Sequence, residues 1–259
     1  MAGGLAKQGM IPVFAVYSTF LQRAYDNVLH DVALQGLPVR IIIDRAGLAK
    51  SDGPTHHGIF DVAFLSHVPG IRLFAPITFG SLEAILETTK DASGPVAIRY
   101  PNSGEDSAVV STFYPTGEYG EPFVRSDDVK DPVAVIVAYG GIVSEALRAK
   151  EELKEKGITV SVILLEELKP YDQTAVKLAS MIPEGVPIVF VEEGLYDGGA
   201  SMILSERLSE YYEKTPPTRI LAIPDHFAVP NRPRDLLAWL GLDAAGISSA
   251  VTDLLKESD

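Results

Sequence analysis

Two short segments carry side chains that could do chemistry together. Tyr17-Ser18-Thr19-Phe20-Leu21-Gln22-Arg23-Ala24-Tyr25-Asp26 closes one apolar run, and Asp44-Arg45-Ala46-Gly47 through Asp52-Gly53-Pro54-Thr55-His56-His57-Gly58 closes another. Phe20 offers a flat ring on which a planar heterocycle can stack, a contact worth about 0.5–1.5 kcal/mol beyond burial. Taken alone, it reads first as a core aromatic at a helix start. Arg23, one turn on, is either a solvated helix charge or part of the same pocket. Arg45 supplies a planar fork that matches a phosphate or carboxylate. Asp52 adds a carboxylate. His56 can move protons at neutral pH, which contributes typically about 10²–10⁴ in rate. Singly, these three are a loop ion pair, a turn aspartate and a surface histidine. Together in one loop with Gly47, Gly53 and Gly58 they point to a functional site. His57 is read as the structural neighbour of His56, with the inward-pointing ring of the pair left open.

Further along, Arg99-Tyr100-Pro101 ends another strand, either as a strand-end ion pair or as a third contribution to the same sheet edge. Glu192-Glu193 faces the glycine-rich turn Gly194 to Gly199. Paired carboxylates could be catalytic, and a hinge or helix-terminus role is preferred here. Tyr139-Gly140-Gly141 makes a tight turn but lacks the G-x-G-x-x-G spacing of a dinucleotide site. His30, His67 and His226 have no ligand-like spacing.

The elements that must position these residues alternate. Strands are expected at Pro12 to Tyr17, Val39 to Ile43, Ile71 to Ala75 and Val96 to Tyr100. Between them, Ala24, Val28, Leu29, Val32 and Ala33 recur at helical spacing, with Ser18 or Thr19 as the helix cap and Gly36 as its end. Helices are expected at Phe60 to Ser66 and Phe79 to Thr89. Residues 102–131 change composition to Pro, Gly, Ser, Glu and Asp. They read as a linker, with one short strand at Phe123 to Arg125. Alternation resumes with strands at Val133 to Ala138, Ile158 to Leu165, Pro187 to Val191 and Arg219 to Ile223. Helices at Val143 to Lys156, Tyr171 to Met181, Ala200 to Tyr212, Asp235 to Leu240 and Ala244 to Leu255 accompany them. The pattern predicts an α/β protein of two consecutive domains, residues 1–101 and 132–259, each a mostly parallel sheet covered by helices. In such sheets ligands bind at the carboxyl ends of strands, where the Tyr17–Asp26 and Asp44–Gly58 segments both fall.

Composition narrows the classes. The chain has 259 residues, 46% of them hydrophobic, and a net charge of −13, which fits a packed globular protein and argues against a nucleic-acid partner. No cysteine is present, which removes disulfides, zinc-thiolate sites and thiol nucleophiles. Met1 to Gln8 does not read as a signal peptide, and the longest uncharged apolar stretch, Pro132 to Val143, is too short to span a bilayer. A cytoplasmic protein without a membrane partner is expected.

YSTFLQRAYD and DRAG-x4-DGPTH-x-G resemble the 1-deoxy-D-xylulose-5-phosphate synthase family, a branch of the transketolase-like, thiamine-diphosphate-dependent enzymes. The likeness continues through Lys169-Pro170, Glu192-Glu193 and Ile223-Pro224-Asp225, and so covers essentially the whole chain. It implies the carboxyl-terminal part of a family protein: an amino-terminally truncated pyrimidine-binding domain, then a transketolase C-terminal domain. By this resemblance Phe20 stacks on the aminopyrimidine of thiamine diphosphate. Tyr17, Arg23, Arg45, Asp52 and His56 line the pocket for pyruvate and glyceraldehyde 3-phosphate, with Arg45 toward phosphate and His56 in proton transfer. Arg99 and Asn102 are the remaining substrate contacts. The implied reaction joins a two-carbon unit from pyruvate, after loss of carbon dioxide, to the aldehyde, feeding isoprenoid, thiamine and pyridoxal synthesis.

Two departures stand out. The family glutamate that activates the aminopyrimidine lies upstream of A-G-L-A, and here Gly3-Gly4-Leu5-Ala6 follows Met1 almost at once. The G-D-G…N pattern that holds Mg²⁺ and diphosphate is also absent, so both are expected on an amino-terminal domain or subunit. Second, the family reads R-Y-P-R-G where this chain has Arg99-Tyr100-Pro101-Asn102-Ser103-Gly104, a neutral amide in place of a charged fork. Three functions are compatible with this: a split subunit or fragment of the synthase, inactive without its amino-terminal domain; a non-catalytic paralogue acting as an assembly module; or a split transketolase-type or 2-oxoacid dehydrogenase β-like subunit with another acceptor. Apolar surface left along the first domain predicts self-association, most simply a homodimer.

Overall fold

The computed structural model describes residues 1–49, 53–227 and 236–258. Asp52, one of the expected site residues, lies outside them, as does Asp235, the expected start of a late helix. Among the described residues the chain opens with α1 (Ala2–Lys7), β1 (Val13–Tyr17) and α2 (Ser18–Leu21). A 3₁₀ turn (Gln22–Ala24) and a wider π-helical stretch (Asn27–Ala33) continue to β2 (Arg40–Asp44). Then come α3 (Asp61–Ser66), β3 (Arg72–Phe74), α4 (Phe79–Thr89) and β4 (Val96–Arg99). The expected helical stripe after β1 is present, with Val28 and Val32 buried, although the backbone is not regular α-helix. The expected cap is not made. Ser18 and Thr19 form no cap bond. Ser18 is instead buried against the Gly58 backbone, and Thr19 Oγ1 donates to Thr55 O at 2.8 Å. Thr19 thus ties down the following loop and Ser18 packs beneath it, and neither caps its own helix.

The expected linker is partly ordered: α5 (Ser107–Phe113) is capped by the Asp106 carboxylate, and β5 (Val124–Ser126) follows. The second half runs β6 (Ala134–Tyr139), α6 (Val143–Glu155), β7 (Val160–Leu165), β8 (Glu167–Lys169) and α7 (Tyr171–Met181). It ends with β9 (Ile188–Leu195), α8 (Ala200–Ser209), β10 (Thr218–Ile223), α9 (Leu236–Leu240) and α10 (Ala244–Ser258).

Two five-stranded sheets result, with orders β1-β2-β4-β3-β8 and β10-β9-β6-β7-β5. Every pairing is parallel except β3 with β8 and β5 with β7. The interior strands β4, β6 and β7 are buried along their whole length, as expected of parallel strands covered on both faces. The three-residue β8 was not expected from sequence, since Glu167-Leu168-Lys169 has no strand-length apolar pattern. It carries the second half of the chain into the first sheet, and Ala75 N donates to Glu166 O at 2.8 Å beside it. One apolar core spans both sheets, from Ile41, Val62 and Leu73 to Val135, Tyr171 and Phe190. No helix among the described residues is long and apolar enough to cross a membrane.

Candidate active site

Parallel pairing sets the site. Tyr17 is in register with Asp44, and Ile43 with Arg99, so the ends of β1, β2 and β4 share one edge of the sheet. At the end of β2 the backbone reverses. Arg45 takes a left-handed conformation (φ 58°), unusual for a side-chain-bearing residue, and its N–H donates to Asp44 Oδ1 at 2.8 Å. Gly47 and Gly58 then exchange two backbone hydrogen bonds of 2.8 Å, which closes the loop on itself. Gly58 must be glycine: a Cβ there would lie 2.3 Å from Arg45 O. Pro54–His56 forms a single 3₁₀ turn at the loop tip.

That turn decides between the two histidines. His57 points inward, 3% exposed, and its Nδ1 accepts from Ala49 N at 2.9 Å. The accepting Nδ1 fixes the neutral tautomer, and burial lowers the His57 pKa. His56 points outward. Its Nδ1 lies 3.0 Å from Thr55 Oγ1, and its ring meets Phe20 edge-on with centroids 5.7 Å apart.

Phe20 is 40% exposed, an open ring rather than a core aromatic. It lines a cavity of about 540 Å³ with Arg23, His56, Thr19, Phe60 and Phe227. The Arg23 guanidinium carbon lies 5.7 Å from the Phe20 centroid. Tyr17 stacks on Phe20, with centroids 5.7 Å apart at 17°. Its other neighbour is Arg45, whose guanidinium carbon sits 4.4 Å from the Tyr17 centroid. Arg45 itself opens on a second cavity of about 510 Å³ between the two halves of the chain, with Asn102, Glu105, Ser144, Arg148 and Glu193. Tyr17 therefore joins two cavities: a ring-and-imidazole cavity at Phe20, Arg23 and His56, and a charged cavity at Arg45 and Asn102.

Arg99 enters neither. It is 3% exposed and its Nε donates to the fully buried Asp61 at 2.9 Å. Burial opposes its charge, but Asp61, Tyr139 and Glu193 together outweigh this and hold the guanidinium above its usual pKa. The other reading of this residue, a strand-end ion pair, is the one the geometry supports. The adjacent carboxylates also part company. Glu192 is fully buried, accepts from Tyr139 Oη and, at 3.1 Å, from Ser201 N, and burial raises its pKa. Glu193 reaches into the loop of the first sheet, and its Oε2 lies 2.7 Å from where a Gly47 Cβ would stand. Phe60 and Phe227 were not expected in the site. Phe60 carried a sequence signal only as a helix start, and Phe227 none. Among the described residues no group of three His, Asp or Glu is placed to hold a metal ion.

The family model for the transketolase pyrimidine-binding domain matches residues 1–104, and that for the transketolase C-terminal domain matches residues 127–247. The chain belongs to the transketolase family, as these two domains in tandem. Within that family it is 41% identical over 255 residues to 1-deoxy-D-xylulose-5-phosphate synthase of Syntrophotalea carbinolica, covering 98% of this chain and 39% of the relative. It is 40% identical over 257 residues to 1-deoxy-D-xylulose-5-phosphate synthase 1 of Geobacter sulfurreducens, with the same coverages. The chain thus spans about two fifths of the length of these relatives. Among solved structures, a split-gene transketolase described as an inactive beta4 tetramer superposes with a TM-score of 0.81 at 28% identity, covering 100% of this chain and 80% of that one. A Pichia stipitis transketolase shares the fold, with a TM-score of 0.72 at 18% identity over 95% of this chain and 34% of that one. The transketolase family depends on thiamine diphosphate, and an exposed aromatic beside an imidazole is a donor set suited to the ring end of that cofactor.

Proposed function

We propose that this chain is the pyrimidine side of a thiamine-diphosphate-dependent carboligase of the 1-deoxy-D-xylulose-5-phosphate synthase type, which condenses pyruvate with glyceraldehyde 3-phosphate and releases carbon dioxide. One observation carries the reading: Phe20, open to solvent, shares a cavity with His56 and Arg23 at the carboxyl edge of a parallel sheet, in a chain 41% identical to such a synthase. Bound there, the cofactor would supply the carbon centre at which the two-carbon unit is carried. The chain's own residues do the rest. Phe20 supports the pyrimidine ring. His56 holds or takes a proton at its outward ring edge, with Thr55 fixing its Nδ1. Arg23 keeps a positive charge over the same cavity for the carboxylate of pyruvate. Tyr17 keeps Arg45 beside the acceptor, and Asp52 belongs to the same loop. Magnesium and the diphosphate are held by an amino-terminal domain or subunit. The chain is inactive alone, because orienting both partners accounts for roughly 7–11 kcal/mol of a barrier reduction. Self-association into a dimer and a cytoplasmic location belong to this reading.

The test pairs the chain with the amino-terminal three fifths of the Syntrophotalea carbinolica relative, with thiamine diphosphate and Mg²⁺ present. Pyruvate-dependent carbon dioxide release should appear only in the mixture and vanish with His56→Gln. Turnover by the isolated chain would refute the split reading, and full activity of the His56 variant would refute the assigned role.

A second reading, a split transketolase-type subunit with another acceptor, is favoured by the charged cavity. Asn102 is neutral there, and Glu105, Glu145 and Glu193 line the same space as Arg45 and Arg148. Arg148 is already committed to Glu145 at 2.6 Å. Such a lining suits a hydroxylated neutral acceptor better than a phosphate. Equal use of glyceraldehyde and its phosphate by the reconstituted enzyme would favour this reading over the first. The non-catalytic alternative, an assembly module, survives only if no mixture turns over.

A further inference from the structure

Neighbouring residues of a strand face opposite sides, and late in β9 this sends two carboxylates to different tasks. Glu192 turns to a helix of its own domain, where it accepts from Ser201 N at 3.1 Å. Glu193 turns to the first domain. It lines the cavity of about 510 Å³ with Arg45 and Asn102. Its Oε2 is wedged between two glycines, 2.7 Å from the Cβ that Gly47 lacks and 3.1 Å from the one that Gly141 lacks. Gly47 stands in the loop after β2, and Gly141 in the turn between β6 and α6. Other carboxylates of this cavity serve helix starts: Glu105 accepts from Phe79 N at 2.6 Å, Asp106 from Ala108 N at 2.9 Å and Glu145 from Ala244 N at 3.0 Å. Glu193 meets the loop instead. Its charge fits the place. Arg45 follows β2 and Arg99 ends β4, strands that pair in register, so two guanidinium groups belong to one sheet edge. Asp61 pairs with Arg99, and Glu193 adds to the field that keeps Arg99 charged.

We infer that Glu193 is a positioning residue: seated between Gly47 and Gly141, it fixes the loop after β2 against the second domain and so sets where Arg45 and His56 stand. The inference rests on the proposed reading of those two as site residues. The lever is the Gly47–Gly58 bridge. These glycines exchange two hydrogen bonds of 2.8 Å. Arg45 stands two positions before one of them and His56 two positions before the other. A carboxylate resting on Gly47 therefore bears on both ends of the loop. Misplacing reacting groups by about 1 Å can cost about 10²-fold in rate, so a contact that touches no substrate still governs turnover.

Amide exchange of the chain alone, resolved by NMR, tests the seat without any turnover. Glu193→Ala empties it. The amides of Gly47 and Gly58 should then exchange at least about tenfold faster, while those of β4 and β6 keep their wild-type rates. Glu193→Gln fills the same space and should restore slow exchange. Gly141→Ala presses on the carboxylate from the far side, its Cβ 3.1 Å from Oε2. It should loosen the same two amides to a lesser degree, and it carries the test if the Glu193→Ala chain does not fold. In the mixture with the amino-terminal polypeptide, Glu193→Ala should raise the KM for the aldehyde about tenfold and leave the affinity for thiamine diphosphate within about twofold. General unfolding would not produce that split. Unchanged exchange at Gly47 and Gly58 in both alanine variants overturns the inference, as does acceleration shared equally by β4 and β6, or an unmoved KM in an active mixture. A mixture that never turns over refutes the catalytic reading alone, and the exchange rates still decide this one.

Discussion

At the end of β1, Phe20 is 40% exposed and faces His56 across an open cavity; at the end of β4, in the same sheet, Arg99 is 3% exposed and bonded to Asp61. Both sit at the carboxyl edge, where parallel sheets bind ligands. Their different fates come from what covers them. The second half of the chain packs over the β3–β4 side, through β8 and through Tyr139, whose ring lies 5.4 Å from the Arg99 guanidinium carbon. On the β1–β2 side it stands off and walls cavities instead, with Phe227 beside Phe20 and Glu193 beside Arg45. Position along a strand thus nominates a residue for function, and the neighbouring domain decides whether it stays available for it. The same rule separates neighbours in sequence. His57 and Glu192 are buried into structure, while His56 and Glu193 face the cavities and the loop.

The largest effect expected from breaking this contrast is on the buried side. Asp61→Ala strips Arg99 of its partner in a dry setting, and removing one member of a buried pair costs about 3–5 kcal/mol. Denaturant unfolding should show this as a fall in midpoint at unchanged slope. Replacing both residues together with apolar ones, Asp61→Leu with Arg99→Met, should cost clearly less than either single change. A double variant as unstable as the sum of its parts would show that the pair is not acting as a unit.

Next in size is the loop. Gly58→Ala puts a Cβ 2.3 Å from Arg45 O and 2.7 Å from the Ser18 Cβ, backbone and short side chain that cannot swing aside. Overpacking of this kind costs about 1–3 kcal/mol. Here it should also push Arg45 off the Tyr17 face and detach Thr19 from Thr55. Tyrosine fluorescence or a crystal structure of the variant would read the displacement. A variant with wild-type stability and loop position would mean the loop is held elsewhere.

Much of this was legible beforehand. Strands β1 and β6 are apolar runs, β2 and β4 have apolar centres with charges only at their ends, α4 and α7 fall where their periodicity put them, and the loop after β2 declared itself by its glycines and by Arg45 and His56. What was not legible depends on contacts far apart in sequence. β8 is three residues long with two of them charged, and only its partner β3 makes it a strand. Arg99 looked like a ligand contact because Asp61, 38 positions away, bears no mark as its partner. Ser18 and Thr19 had the residue types of helix caps, yet the Thr19 hydroxyl bonds the loop that folds back on it and Ser18 is buried beneath that loop. The wall formed by Phe227 comes from a distant segment with no apolar period of its own.

A pH dependence follows from burying His57. Burial holds His57 below its ordinary pKa of 6.5. The unfolded chain therefore takes up a proton at His57 as pH falls through 6.5, while the folded chain does not. Below that value the unfolded form is favoured, so this contribution to stability is fully present above pH 6.5 and is lost as pH falls toward the lowered folded value. Glu192 works in the opposite sense. Burial raises its pKa, so the unfolded chain loses that proton first, and this contribution declines as pH rises from the ordinary carboxylate range through the folded value. Comparing unfolding midpoints of wild type and His57→Asn from pH 7 to pH 5.5 isolates the histidine. The acid-side decline should flatten in the variant. An unchanged decline would assign it to other groups.

The smallest effect on stability is expected at the residue on which the proposed function leans most. Phe20 is open to solvent, so Phe20→Ala forfeits little packing and should move the unfolding free energy by no more than about 0.5–1 kcal/mol. Its stacking surface is worth a similar amount, about 0.5–1.5 kcal/mol, but that sum appears elsewhere: as roughly a two- to tenfold weaker affinity for thiamine diphosphate in the mixture with the amino-terminal polypeptide. Phe20→Tyr keeps the ring and should keep the affinity. The pattern that would break the comparison is the inverse one, a large loss of stability with cofactor affinity intact. Phe20 would then be packing the sheet edge against His56 and Tyr17 rather than waiting for a ligand, and the open half of the edge would be no more functional than the closed half that holds Arg99.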